Sequence, residues 1–237
     1  MLLRQTRARL AFAVKDAIFK VARLQSMLDE KELRILTGHM GFRHQWDEHR
    51  RFQFDWIKSQ GLMPSGHVLE VGCGPLTLAV PLIKYLDTGH YTGLDVRPAV
   101  LDIAYGQLGK AGLAVKRPRL VLTETFGAKE LGNEKFDYVW SFSVLYHLTD
   151  ELLDACFAQV ARRLEPNGAY FANINAEMSE STWLQFPFNR RNPSFYAQTA
   201  ARHGLAMSEL GTLESLGFRL SSDEKNNRLL RFKHRVG

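Results

Sequence analysis

The chain has 237 residues, 45% of them hydrophobic, which suits one α/β domain with a sizeable core and a modest addition. Its two cysteines, Cys73 and Cys156, offer neither a disulfide framework nor a metal-binding spacing, so a reducing, cytoplasmic setting is expected. No signal-peptide core is visible, and no stretch reaches the roughly 18 apolar residues of a membrane span.

The net charge of +6 is concentrated at the ends. Residues 1–23 carry six basic side chains against Asp16 alone, and residues 225–237 carry five with no acid, so the body between them is net negative. Basic ends of this kind suit an anionic partner such as a membrane surface, a nucleic acid or a phosphorylated substrate, or simply solubilise exposed faces.

In chain order, residues 8–36 read as a helix, with Leu10, Val14, Ala17, Val21, Leu24 and Leu28 at three- to four-residue spacing. Two fates fit a basic amphipathic helix: lying on an anionic membrane, or packing on the body as a lid, the preferred reading. Gly38 and Gly41 break the pattern, and a second helix is expected over 45–61, with Trp46, Phe52, Phe54, Trp56 and Ile57 supplying apolar mass. The two helices form an N-terminal cap over 1–62, ahead of the main domain at 63–237.

From residue 66 strands and helices alternate, which implies parallel pairing with right-handed crossovers. Strands are expected near 67–71, 90–95, 118–123, 136–141 and 168–173, and helices near 76–86, 98–111 and 149–164. Residues 177–192 are rich in aromatic and polar residues without a clear period and are expected to cover the active site. Pro193 suits the first turn of a further helix. Residues 205–210 and 228–233 can form a final antiparallel pair.

The most informative stretch is Val68-Leu-Glu-Val-Gly-Cys-Gly-Pro75. An apolar strand that ends in a Gly-x-Gly turn lets a ligand approach the backbone closely. Dinucleotide binding calls for a third glycine, where this chain has Thr77. Glu70 before the turn would repel a pyrophosphate and suits a cation. The acid ending Tyr91-Thr-Gly-Leu-Asp95 is placed to accept hydrogen bonds from a ribose diol. A nucleoside with a cationic group and no phosphate, such as S-adenosylmethionine, fits these charges.

Four segments in order are similar to the motifs of class I S-adenosylmethionine-dependent methyltransferases. They are Val68 to Pro75, Tyr91 to Asp95, Phe136-Asp-Tyr-Val-Trp-Ser-Phe-Ser-Val-Leu-Tyr-His-Leu148 and Leu164-Glu-Pro-Asn-Gly-Ala-Tyr-Phe171. The resemblance spans residues 64–173, and the run from Pro81 to Asp95 resembles a bacterial subgroup of poorly defined substrate. It implies a doubly wound, Rossmann-like, seven-stranded α/β sheet with the last strand antiparallel. It also implies that Glu70, Gly72 and Gly74 hold the methionine end, Asp95 the ribose, and Glu124 the adenine, while Ser141 lines the methionine channel or is an ordinary strand-end hydroxyl. Leu76 departs from the family, which has glycine there.

An alcohol acceptor needs a base as the new bond forms. His147, just after the fourth strand, is the leading candidate, against a purely structural role. His44 and His49 are further candidates; with Asp47 and Glu48 they also resemble a metal cluster, but no matching pair follows the fourth strand, and no metal is expected. The preferred acceptor is a hydroxyl on a sugar or lipid-linked glycan, under an aromatic cover of Trp183, Phe186, Phe188 and Tyr196. Methylation of a small metabolite or nucleic acid is the alternative, though no Asn-Pro-Pro-Tyr type signature for a flipped base is present. A non-catalytic cofactor-binding partner protein is the alternative of another class.

Overall fold

The computed structural model describes residues 46–175, 181–183, 186–219 and 223–235. The helix expected over 8–36, and His44, lie outside these residues.

Seven strands form one sheet: β1 (Val68–Val71), β2 (Tyr91–Asp95), β3 (Arg119–Leu122), β4 (Phe136–Ser141), β5 (Leu164–Ile174), β8 (Leu205–Thr212) and β9 (Arg228–His234). Their order is β3-β2-β1-β4-β5-β9-β8. The first five pair in parallel, and β9 runs antiparallel between β5 and β8. The final antiparallel pair is therefore as expected, and the last strand of the chain is inserted before the edge. A separate hairpin joins β6 (Ser181–Trp183) to β7 (Phe186–Phe188).

Helices cover both faces, as a parallel sheet requires. On one face α1 (Trp46–Ser59), α2 (Ala79–Tyr85) and α3 (Pro98–Lys110) contribute Ile57, Leu82, Ile83, Leu101 and Ala104 to a core that includes Val68, Trp140 and Phe171. On the other, α4 (Asp150–Arg163) and α5 (Pro193–Arg202) bring Leu153, Phe157, Val160 and Tyr196 against Leu69, Val139, Tyr170 and Phe232. Thr149 caps α4, its hydroxyl accepting from the Leu152 N–H. Pro193 opens α5, where its missing N–H has no cost. The basic C-terminal segment falls largely on β9, where Arg228 pairs with Glu209 across to β8. Among the described residues no helix is long and apolar enough to cross a membrane.

Three local features differ from the expectations. The buried stripe of α1 is His49, Gln53 and Ile57, so two polar residues face the core where aromatic mass was expected. Pro166-Asn-Gly168 lies within β5 rather than before it: the pairing jumps from Phe136–Leu164 to Tyr138–Ala169, and the extra residues bulge out. Helix α2 starts three residues late because Leu76 has φ +65°.

Leu76 sits in the left-handed region at a cost of about 1–2 kcal/mol for a residue with a Cβ, yet its side chain is fully buried. Burial of a leucine side chain contributes about 1.5–3 kcal/mol, enough to hold the turn without the family's glycine. Restoring that glycine should therefore destabilise: emptying the leucine site costs about 2–5 kcal/mol and relief of strain returns about 1–2. Urea titration of Leu76→Gly should show a net loss of about 1–3 kcal/mol; a stabilised variant would mean that strain outweighs packing.

Candidate functional site

The turn after β1 is held against β2 through its backbone. The N–H groups of Gly72 and Cys73 both donate to the Leu94 carbonyl on β2, at 2.9 Å each. Gly72 has φ +73°, and a Cβ there would lie 2.5 Å from Cγ2 of Val144, in the loop after β4. Opposite, a Cβ on Gly93 would lie 2.9 Å from Cys73 Cβ and from the Tyr91 hydroxyl. The turn is thus wedged between β2 and the loop after β4, and both approaches require glycine. From above, the Arg50 Nε–H of α1 donates to the Thr77 carbonyl at 2.8 Å. Gly74 differs: a Cβ there would meet nothing within 4 Å, so this turn keeps open space in front of its backbone.

Two carboxylates stand at the carboxyl ends of β1 and β2, and their environments separate them. Glu70 is 4% exposed and accepts a 2.6 Å hydrogen bond from the Tyr91 hydroxyl. Burial pushes its pKa up to about 8, against the lowering effect of the tyrosine hydrogen bond and with a further raising effect from Asp95. The Tyr91 hydroxyl is itself pushed well up by burial and by Glu70. Asp95 instead accepts from the Gly74 N–H at 3.0 Å and the Arg97 N–H at 2.9 Å, with Arg97 Nε at 3.5 Å. It caps the glycine turn and the entry to α3, and each carboxylate oxygen can accept more than one donor.

Beyond Asp95, Val96 and Leu122 are exposed at the ends of β2 and β3, 46% and 51% respectively. They form an apolar flank beside the acid, which periodicity alone did not single out. Glu124 is exposed in the bend after β3, where the Thr123 N–H donates to the Asp95 carbonyl. Ser141 is buried, and its hydroxyl bonds the Tyr170 hydroxyl at 2.9 Å on the α4 face, opposite the face of Glu70.

His147 lies in a single 3-10 turn after β4, Leu145–His147. Its Nδ1 is 3.0 Å from the Pro187 carbonyl, an acceptor only, so Nδ1 carries the proton and Nε2 the lone pair. Rings of Tyr146 and Phe188 flank it at 4.7 and 4.6 Å. The hairpin strand β7 is anchored over this turn by Asn189, whose N–H donates to the Tyr146 carbonyl and whose Nδ2 donates to the Leu148 carbonyl. Residues 186–192 thus cover the segment after β4. Tyr196, however, is packed in the core on α5, 0% exposed, and takes no part in that cover.

His49 is buried in the core. Its Nδ1 is 2.6 Å from Gln53 Nε2, its ring meets Phe142 and Phe218 edge-on, and Gln53 Oε1 accepts from Trp140 Nε1 at 2.9 Å. Gln53 was not apparent from sequence, because a lone glutamine in an aromatic helix carries no motif. Among the described residues no cluster of potential metal ligands occurs.

These donors and acceptors fit S-adenosylmethionine. Glu70 suits its ammonium, Asp95 its ribose diol, Val96 and Leu122 an adenine face, and the space before Gly74 its close passage over the backbone. With the sheet order above, the site defines a class I methyltransferase domain.

Comparison with known proteins agrees. Residues 69–170 match the model of the methyltransferase domain family. A ubiquinone biosynthesis O-methyltransferase from Hahella chejuensis is 26% identical over 181 residues, 71% of this chain and 67% of that protein. Another, from Aromatoleum aromaticum, is 28% identical over 52% of this chain, which spans half (50%) of that protein's length. Among solved structures, magnesium protoporphyrin IX methyltransferase from Synechocystis PCC 6803 with bound SAH superposes with a TM-score of 0.62. It is 15% identical, covering 82% of this chain and 85% of that one. Residues 69–170 are thus a methyltransferase domain, and S-adenosylmethionine is its cofactor.

Two measurements test the carboxylates. Asp95→Ala removes the carboxylate expected to accept from the ribose and the acceptor of the Gly74 and Arg97 N–H groups. Calorimetry should show cofactor binding weaker by about 1.5–3 kcal/mol, and an unchanged affinity would place the ribose elsewhere. For Glu70 the sign follows from its raised pKa. Between pH 4.5 and about 8 the folded chain holds a proton that the unfolded chain has released, so stability falls as pH rises across that window. The ligand-free melting temperature should drop from about pH 6 to about pH 8.5 more steeply than that of Glu70→Gln; parallel slopes would show that Glu70 is ionised throughout.

Proposed function

We propose that this enzyme methylates a hydroxyl, with His147 as the general base and a sugar or lipid-linked glycan ring as the acceptor. The observation that carries the reading is the Nδ1 contact of His147 with the Pro187 carbonyl, which leaves the lone pair on Nε2 in the loop whose Val144 abuts the glycine turn. The two O-methyltransferase relatives support an oxygen acceptor, and the aromatic hairpin above His147 suits a ring.

The bound cofactor supplies a methyl carbon already activated by its sulfonium, which departs as a neutral thioether. The protein supplies orientation, exclusion of water and a proton acceptor. Nε2 takes the acceptor's hydroxyl proton as the carbon–oxygen bond forms, so no alkoxide need exist free in solution. Tyr146, Phe188 and the Pro187 carbonyl fix the plane of the imidazole. The hairpin excludes water from the loop it covers.

Labelled methyl transfer into fractionated cell extract, with the product identified by mass spectrometry, tests the acceptor. Label on a glycan or sugar oxygen is the expected result; label on nitrogen would replace the hydroxyl reading with an amine one. His147→Ala should lower turnover by about 10²–10⁴-fold with cofactor affinity intact. Retention of more than about a third of parent turnover would remove His147 as an essential base, since general-base losses are far larger.

A further inference from the structure

At the carboxyl end of β5, on the α1 face of the sheet, buried amides collect without enough partners. Asn173 is 0% exposed and its Oδ1 accepts from the Ser143 N–H at 2.6 Å, but its Nδ2 has no hydrogen-bond partner. Asn227 is 1% exposed, and both its Nδ2 and Oδ1 are without one. Asn173 pairs with Leu229 across the β5–β9 ladder, and Asn227 lies two residues before Leu229. The Asn227 carbonyl accepts from the Leu213 N–H, and Leu213 and Leu229 belong to the same core on the α1 face.

The same corner is walled by aromatic rings. Phe142, next to Ser143, lies 6.2 Å from Phe218 between ring centres, and Phe52 approaches Phe218 at 5.0 Å. Phe218 is tied to Asn227 through backbone, since its N–H donates to the Leu213 carbonyl while the Leu213 N–H donates to the Asn227 carbonyl. The loop from Phe142 to His147 therefore has this corner at its start, Val144 against the glycine turn at its middle, and the histidine at its end.

Burying an amide atom without a partner is costly, and among the described residues three such atoms belong to these two asparagines. A ligand that bonds all three relieves that cost. Amides offer both donors and an acceptor and carry no charge, so they select a neutral group that both accepts and donates, which describes a hydroxyl.

We propose that Asn173 and Asn227 bind the methyl acceptor, holding a neutral hydroxyl-bearing ring against Phe142 and Phe218. This rests on the hydroxyl reading above and assigns its recognition, as distinct from its chemistry, to the β5–β9 corner. A sugar and a phenol share the required chemistry, and the test separates them.

Binding of methyl β-glucoside and of catechol would be followed by ligand-observed NMR on the full chain saturated with S-adenosylhomocysteine. The parent protein should bind one of the two, the glucoside identifying a sugar site and catechol a phenolic one. Asn227→Leu and Asn173→Leu should each weaken that probe by at least about tenfold, the size of one lost hydrogen bond, with cofactor affinity unchanged. Where a leucine variant loses cofactor affinity through misfolding, Asn227→Asp, equal in shape but without the donor, should show the same loss of probe. Failure of the parent to bind either probe, or binding that Asn227→Leu or Asn227→Asp leaves intact, overturns the assignment. A parent that binds the probe while labelled methyl appears only on nitrogen would refute the hydroxyl chemistry and leave the recognition corner standing.

Discussion

The structure depends on one close approach. The backbone after β1 must pass between β2 and the loop after β4, and it does so because Gly72 and Gly93 present no side chains to Val144 and Cys73. With the turn seated, two of its N–H groups reach the Leu94 carbonyl and a third reaches Asp95. The carboxyl ends of β1, β2 and β4 are thereby brought to one edge, where ligands bind in open α/β sheets. Leu76 shows how firmly this is imposed, since a buried leucine adopts the left-handed conformation so that the turn can keep its path.

The same edge separates two acids by environment. Asp95 accepts from the backbone N–H groups of Gly74 and Arg97. Glu70 faces apolar core with one hydroxyl donor, and burial holds its proton to about 8. A cation beside Glu70 would supply the opposite charge that favours its ionised form. If Glu70 meets the cofactor's ammonium as proposed, part of the affinity comes from relieving a buried acid, and the polar cost at the β5–β9 corner has a parallel logic. Both ends of the site hold groups that the fold alone leaves poorly satisfied, as expected where stability gives way to function.

Helix α1 links these ends. It reaches the turn through Arg50, the core through Gln53 and Trp140, and the aromatic corner through His49 and Phe52. Its buried stripe is polar because it spans a polar network, whereas a helix that only covered a sheet would bury leucine and isoleucine there. In this way α1 connects the glycine turn to the aromatic corner.

Much of this was written locally in the chain. The alternation of strands and helices, the acid before the glycines, the acid ending β2 and Pro193 at the start of α5 depend on neighbours a few residues apart, and the sequence by itself determined them. What only the tertiary structure decided involves partners far away in sequence. Which face of β4 carries Ser141, that Tyr196 is core, that His49 meets Gln53 and Phe218, and that Asn173 pairs with Leu229 all follow from the packing of distant segments and from the order in which β9 is inserted. A residue's type states which bonds it can make. Only the packed sheet states which partners are within reach, because a one-residue change of register moves every side chain to the opposite face.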